Sequence, residues 1–234
     1  NDSAVAVAEA IGGDVDRFCR LMDKKAEAVG CMKTNFVTPN GLDGEDEEGE
    51  HCTTAEELAM ILRYCTIISS KARKFIEIAG TKSYSFQEIN GKRYVNCNNH
   101  NTLLSSYEGA FTGKTGFTGK AGYCYAGAAK KEEKTMIIAL LGAGWYPNRS
   151  LKWKDAKKLL DYGFDNYDYQ LIGKDEWSFS EIPVIDGMEE RVKIATDAKK
   201  FYYLLGKEET VKCKIEHAKQ LQAPIEENTV VGTV

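Results

Sequence analysis

One segment of this 234-residue chain concentrates residue types that do chemistry: Thr112-Gly-Lys-Thr-Gly-Phe-Thr-Gly-Lys-Ala-Gly122. Its glycines and Lys-Thr pair first suggest a phosphate-binding loop, Gly-x-x-x-x-Gly-Lys-Thr, whose backbone amides wrap a phosphate at a helix start. Two features disfavour nucleotide binding. Only three residues separate Gly109 from Gly113, and the segment runs into Tyr-Cys-Tyr-Ala, which alternates like a strand. The other chemistry is Lys-Thr-Gly on a strand beside a cleft. Lys114 would supply a positive field. The Thr115 hydroxyl can donate to a carboxylate, and Gly116, lacking a side chain, lets a substrate backbone lie along the strand and pair with it. In isolation the triplet describes a glycine-rich turn with an exposed lysine equally well.

The other chemical residue types are less organised. The seven cysteines (Cys19, Cys31, Cys52, Cys65, Cys97, Cys124 and Cys213) are odd in number and widely spaced, with no Cys-x-x-Cys. That disfavours a disulfide scaffold and points to buried free thiols and a reducing compartment. His51-Cys52 and Cys97-x-x-His100 contain zinc-ligand types, but nothing in the spacing brings the pairs together. His51 and His100 also invite a Ser-His reading; structural roles are preferred for both. The acidic run Glu45-Asp46-Glu47-Glu48 reads as a solvated loop tip without calcium-site spacing. The aromatic residues from Trp145 to Trp177 read as packing rather than a sugar-binding strip.

Helices and short strands must position these groups. Asp14 to Val29 reads as a helix capped by Asp14, with Val15, Phe18, Leu21 and Met22 on one face. A second helix starts at Thr53, where Thr53-x-x-Glu56 fits a capping box and Leu58, Ile61, Leu62, Cys65 and Ile68 form the apolar stripe. Asn90-Gly91, between Tyr84–Ile89 and Lys92–Val95, signals a two-residue hairpin turn. Residues 110–117, 123–129 and 135–141 read as an antiparallel meander. Lys154 to Tyr162 is a helix with Gly163 at its expected stop. Beyond about Ile172 only strand-like alternation remains, at 191–196 and 211–216. This reading gives an α+β fold class: residues 1–171 as one domain and 172–234 as the start of a small all-β domain.

Composition bounds the function. Lys plus Arg number 31 against 35 Asp plus Glu, a net charge of −4, which gives no support for nucleic-acid binding. Hydrophobic residues at 43% and charged residues at 28% exclude a disordered chain. No apolar run reaches the roughly 20 residues of a membrane helix. The chain begins at Asn1 without Met or a leader pattern and ends in a strand-like run; the expectation is a piece of a longer polypeptide.

Several segments, in order, then resemble the serine-type D-alanyl-D-alanine carboxypeptidases, the low-molecular-mass penicillin-binding proteins. Asn1-Asp2 with Ala4 to Glu9 resembles the residues after that family's Ser-x-Asn motif. Thr34-Asn35-Phe36, Pro39-Asn40-Gly41-Leu42 and His51-Cys52-Thr53-Thr54-Ala55 resemble its stretch between motifs. Asn99-His100-Asn101 and Leu103-Leu104 precede Gly113-Lys114-Thr115-Gly116-Phe117-Thr118 and Ala121-Gly122-Tyr123-Cys124. Lys157-Lys158-Leu159-Leu160 and Gly163-Phe164 resemble its last helix. The match runs to about residue 170, and the tail resembles the start of the family's C-terminal β-domain.

The resemblance implies a β-lactamase/transpeptidase-like domain, incomplete at its N-terminus. It implies an acyl-enzyme reaction on peptidoglycan stem peptides ending in D-Ala-D-Ala, β-lactam as covalent inhibitor, no cofactor and an extracytoplasmic location. By the same resemblance Lys114 is the electrostatic lysine and Asn1 the asparagine of Ser-x-Asn. Thr115 and Thr118 are candidates for the substrate carboxylate, Gly116 allows close approach, and the Phe117 backbone N–H is one oxyanion donor. Near the start of the last helix, where the family often has an arginine, Lys152 stands closest and Arg149 is nearby; lysine lacks arginine's bidentate fork. Neither Ser-x-x-Lys nor the Ser-x-Asn serine occurs in these residues. The chain alone is therefore expected to be inactive, its N-terminal part supplied as a separate segment. The alternatives are a non-catalytic remnant or interaction module of the same fold, or a β-lactamase-like hydrolase. An exported protein with seven cysteines suits a reducing, anaerobic setting.

Overall fold

The computed structural model describes every residue except Asp175 and divides into two compact units, 1–165 and 166–234. The division falls before the expected 171/172 border because Tyr167–Ile172 pairs with Phe201–Gly206 of the tail.

The first unit opens with α1 (Asp2–Gly12) and α2 (Val15–Ala28), which pack together. Between them Gly13 takes φ +88°, a left-handed turn that suits glycine. The Asp14 carboxylate accepts the Arg17 N–H at 2.7 Å and caps α2 as expected. A loop then carries the two-residue strands β1 (Glu45–Asp46) and β2 (Gly49–Glu50). Next come α3 (Ala55–Arg63), a π-helical turn over Tyr64–Ile68, and α4 (Ala72–Ala79). The cap of α3 is Thr54, which accepts the Glu57 N–H at 3.1 Å, one residue beyond the expected Thr53. Thr53 instead hydrogen-bonds Thr34, hydroxyl to hydroxyl, at 2.8 Å.

β3 (Ser83–Gln87) and β4 (Tyr94–Asn98) form the expected hairpin. Its turn is longer than two residues: Glu88 N–H donates to Arg93 and Gly91 N–H to Glu88. A two-residue type I′ turn needs positive φ at both central residues, and only Gly91 has it. After α5 (Leu103–Ser106) comes the meander of β5 (Ala110–Thr118), β6 (Gly122–Lys131) and β7 (Lys134–Leu140), then α6 (Leu151–Asn166).

The three strands form one antiparallel sheet in the order β5-β6-β7. α6 covers one face, where Leu103, Tyr125, Ala129, Ile138, Ala156, Leu160 and Phe164 make the core. The central strand is buried almost throughout, because α3 meets β6 and β7 as well. Small residues Ala126 and Ala128 permit that second layer. α6 does not stop at Gly163. That glycine is buried, and a Cβ there would stand 3.0 Å from the Met136 Sδ. It serves helix-to-sheet approach rather than termination. Burying Leu160 against this sheet contributes about 2 kcal/mol.

The second unit pairs β8 (Tyr167–Ile172) with a later strand, and holds β9 (Ile182–Ile185), β10 (Arg191–Val192), β11 (Phe201–Gly206, the partner of β8), β12 (Glu216–His217), β13 (Leu221–Gln222) and β14 (Gly232–Thr233). The alternation at 191–196 yields only the two residues of β10. The pattern at 211–216 yields only the first residue of β12.

Candidate active site

Alternation along β5 sends Lys114, Gly116 and Thr118 to one face of the sheet and Thr115 and Phe117 to the other. Lys114 lies opposite Ala126, and Gly116 opposite Cys124. Lys114 is exposed, and its ammonium donates to the Thr115 carbonyl. A Cβ at Gly116 would meet only the Cys124 Cβ, at 4.0 Å, so nothing on this chain's side of the strand requires glycine there. Gly113 is different. Its Cβ would stand 2.7 Å from the Tyr125 hydroxyl and 2.8 Å from the Asn101 amide nitrogen, so that glycine is needed for internal packing. Burial pushes the Tyr125 phenol up to about 12.

β5 is an edge strand of its sheet, and the ladder fixes which groups face outward. Tyr123 N–H donates to Gly144, and the Tyr123 carbonyl accepts from Ala143, both at 2.8 Å. Its polar groups therefore point away from β5, which makes Phe117–Tyr123 a non-hydrogen-bonded pair. Phe117 N–H and C=O consequently face the open edge, as do those of Thr115 by alternation.

Lys152 sits in the first turn of α6, only 8% exposed. Its ammonium lies 5.1 Å from the Tyr123 ring and 4.9 Å from the Trp153 ring. The Phe117 ring packs 4.4 Å from Tyr123 on the same face. Loss of solvation lowers the Lys152 pKa, Lys114 and Arg149 lower it further, and Cys124 opposes them. No carboxylate pairs with Lys152 among the described residues, and a helix N-terminus disfavours a cation. A buried ammonium held only by aromatic faces is poised for an incoming anion.

Thr118, expected to touch substrate, is engaged within the chain. Its hydroxyl donates to Asp43 at 2.8 Å and accepts the Ala121 N–H at 2.9 Å. Beside it Lys120 forms a 2.5 Å ion pair with Glu50. The acidic run Glu45–Glu48 is exposed as expected, while Asp43 and Glu50 on either side of it clasp the β5–β6 turn. Within that loop, hydrogen bonds from Asn35 and from the Glu48 and Gly49 amides lower the Asp46 pKa. His51 holds the loop too. Its Nδ1 accepts from the Val37 and Thr38 amides at 3.1 and 3.2 Å, and burial lowers its pKa. Both lone-pair demands fall on that nitrogen, which leaves it unsuited to zinc or proton abstraction. Among the described residues no group of three or more His, Cys, Asp or Glu side chains is arranged to hold a metal ion.

Asn1 stands exposed at the start of α1 without a side-chain capping bond. No hydrogen bond or ion pair joins it to β5 among the described residues. Arg149 is exposed in the turn before α6. Asn98, Asn99 and His100 form a shallow pocket of about 250 Å³ with Gly113, Lys114 and Thr115. This puts His100 at the wall of the site, where the sequence suggested only a structural role. The Asp43 clasp had no sequence signal beyond an acidic loop.

A family model described as D-alanyl-D-alanine carboxypeptidase matches residues 1–144. A second, described as penicillin-binding protein 5, C-terminal domain, matches 167–234. The D-alanyl-D-alanine carboxypeptidase DacF of Bacillus subtilis (strain 168) is 30% identical over 237 residues; the alignment covers 100% of this chain and 58% of DacF. Penicillin binding protein 5 from Haemophilus influenzae superposes with a TM-score of 0.71 at 28% identity, covering 99% of this chain and 64% of that one. Penicillin-binding protein D2 from Listeria monocytogenes, solved in its cefotaxime-bound form, superposes with a TM-score of 0.58 at 28% identity, covering 70% and 61%. The chain thus spans somewhat more than half the length of the relative and structures it matches.

Proposed function

The chain belongs to the D-alanyl-D-alanine carboxypeptidase family, and from that premise we propose that it supplies the substrate-strand half of a serine carboxypeptidase site acting on peptidoglycan stem peptides. The observation that carries the reading is the open edge of β5. There Thr115 and Phe117 turn their backbone polar groups outward, beside a Gly116 that no internal contact requires. An extended peptide ending in D-Ala-D-Ala can add to this edge as a further strand.

Each residue then has a task. The Phe117 N–H donates to the carbonyl oxygen as it gains charge, worth about 3 kcal/mol to the transition state. Thr115, on the α6 face with Lys152, holds the terminal carboxylate; Lys152 offers charge without the fork of an arginine. Lys114, on the other face, supplies the field that stabilises the anionic intermediate. Asn1 is assigned the peptide amide by its place in the family's motif alone. Thr118 acts through the Asp43 clasp by fixing the strand end.

The nucleophile is a serine hydroxyl of a Ser-x-x-Lys segment, which these 234 residues do not contain. Its oxygen bonds to the carbonyl carbon, the carbon–nitrogen bond breaks, and D-alanine leaves with a proton on its nitrogen. Water then cleaves the ester. β-Lactams would acylate the same serine, a reading supported by the cefotaxime-bound relative. The substrate class also implies action outside the cytoplasmic membrane.

The test is intact mass spectrometry with penicillin, paired with an assay of D-alanine release. This chain alone should take up no penicillin and release no D-alanine. With a polypeptide carrying the Ser-x-x-Lys segment, the adduct should form on that partner and release should appear. An adduct on this chain, or turnover by it alone, would overturn the assignment.

A further inference from the structure

Water ordinarily keeps a lysine ammonium charged, and burial strips most of it from Lys152. The residue is 8% exposed, with the Tyr123 ring 5.1 Å and the Trp153 ring 4.9 Å from its nitrogen. Its ammonium donors find no hydrogen-bond acceptor among the described residues. Ring faces attract a cation, but more weakly than water solvates it. The place in the helix adds to the cost. Lys152 stands in the first turn of α6, which holds no acidic residue, and there the helix dipole opposes a positive charge.

The charged and titratable groups around it push the same way, with one exception. Lys114 acts on it from β5 and Arg149 from the turn before α6, and both disfavour a further positive charge; Cys124 of β6 opposes them. Tyr123 and Trp153 offer ring faces. Asp155, three residues along α6, makes no ion pair with it among the described residues. Lost solvation is the largest of these effects, and the balance lowers the Lys152 pKa. The counter-charge that would hold the proton on Lys152 has to come from outside the chain.

We propose that Lys152 makes the hold on the substrate's terminal carboxylate conditional on pH: the ammonium binds the anion, and the neutral amine lets it go. The inference rests on the carboxypeptidase reading, which places that carboxylate at Thr115 and Lys152. Proton and carboxylate support each other here, since each supplies the charge the other lacks. The anion therefore raises the proton affinity of Lys152 by the same factor as the proton raises the affinity for the anion. An arginine in this place would keep its charge throughout, so the lysine introduces a dependence that an arginine would not have. Once Lys152 begins to lose its proton, affinity falls towards about tenfold per pH unit, because only the protonated fraction is competent.

The experiment is a ¹³C NMR titration of the 234-residue chain labelled in lysine and threonine. It runs from neutral pH past the ordinary lysine value of about 10.4, with acetyl-D-Ala-D-Ala and, in parallel, its C-terminal amide. The Lys152 Cε resonance should titrate ahead of those of the exposed lysines, and the free acid should move its midpoint upward. The acid should shift the Thr115 methyl at neutral pH and lose affinity as Lys152 titrates; the amide should bind weakly and without that dependence. Lys152→Arg should bind the acid with an affinity that stays level through the same range. Lys152 titrating together with the exposed lysines, or a loss of affinity that Lys152→Arg shares, overturns the pH dependence while carboxylate docking stands. A Thr115 methyl that the acid leaves unmoved at every pH overturns the docking and, with it, the conditional hold. If Lys152→Arg does not fold, the wild-type midpoint decides: a Lys152 midpoint that the acid leaves in place overturns the proposal.

Discussion

The two units bury their side chains very differently. In the first, a three-stranded sheet lies between α6 and α3, and its core holds Tyr125, Leu160 and Phe164 nearly free of solvent. In the second, only Ile182 and Leu205 are buried apolar side chains among the described residues, and four of the seven strands found there have two residues. Its longest ladder, β8 with β11, leaves Tyr202 and Tyr203 more than half exposed. Two-stranded ladders are marginal in water unless another layer covers them. The candidate site accordingly stands on the β5-β6-β7 sheet of the first unit, whose central strand is buried and whose core face is packed by α6, and not on the exposed two-stranded ladders β1-β2 and β3-β4 of the same unit.

The sharpest trial of this contrast is a matched pair of truncations. Leu160→Ala should cost the first unit about 3 kcal/mol in urea unfolding, and Leu205→Ala about 1 kcal/mol or less, because a thin layer relaxes around the gap. Equal losses would erase the distinction. Next in size, Gly163→Ala should cost about 1–2 kcal/mol from crowding Met136, less what alanine gains as a helix former. Combining it with Met136→Ala should recover part of that loss; a stabilised single variant would show that α6 is not pressed against β7.

Cap removal is smaller. Thr54→Ala should cost about 1 kcal/mol, measurable as a lower melting temperature of the first unit with the second unchanged.

The smallest effect is a pH dependence at His51. Its folded-state pKa is lowered, so the unfolded chain binds the proton more strongly. Above the ordinary histidine pKa of about 6.5 both states are neutral and its contribution is complete. As pH falls below that, stability declines towards the folded-state pKa. His51→Gln should flatten the stability profile of the first unit between about pH 7.5 and 5.5; an unchanged slope would remove His51 from the account.

Local signals are legible wherever neighbours in sequence do the work. The Asp14 cap, the hairpin around Asn90-Gly91 and the β5-β6-β7 meander need only short-range chemistry, and the structure contains all three. The misplaced features have distant causes. Gly163 reads as a stop until Met136 is seen beneath it. Thr53 resembles a cap until Thr34 takes its hydroxyl. The α1 helix is not legible, because its apolar residues run almost without a polar face.

The site divides in the same way. Lys114-Thr115-Gly116 is a chemical word in the sequence, since residue type and order on one strand fix which side chains alternate. The outward direction of the Phe117 amide depends on where Tyr123 finds its partners, and those lie at residues 143 and 144. Lys152 is an ordinary surface lysine by composition and becomes a buried, unpaired cation only when α6 sets it against Tyr123. The sequence by itself determined the kinds of groups and their order along β5, because those are covalent facts. The tertiary structure alone decided which groups are spent inside the fold and which face outward, because hydrogen bonds and burial are settled between segments far apart in the chain.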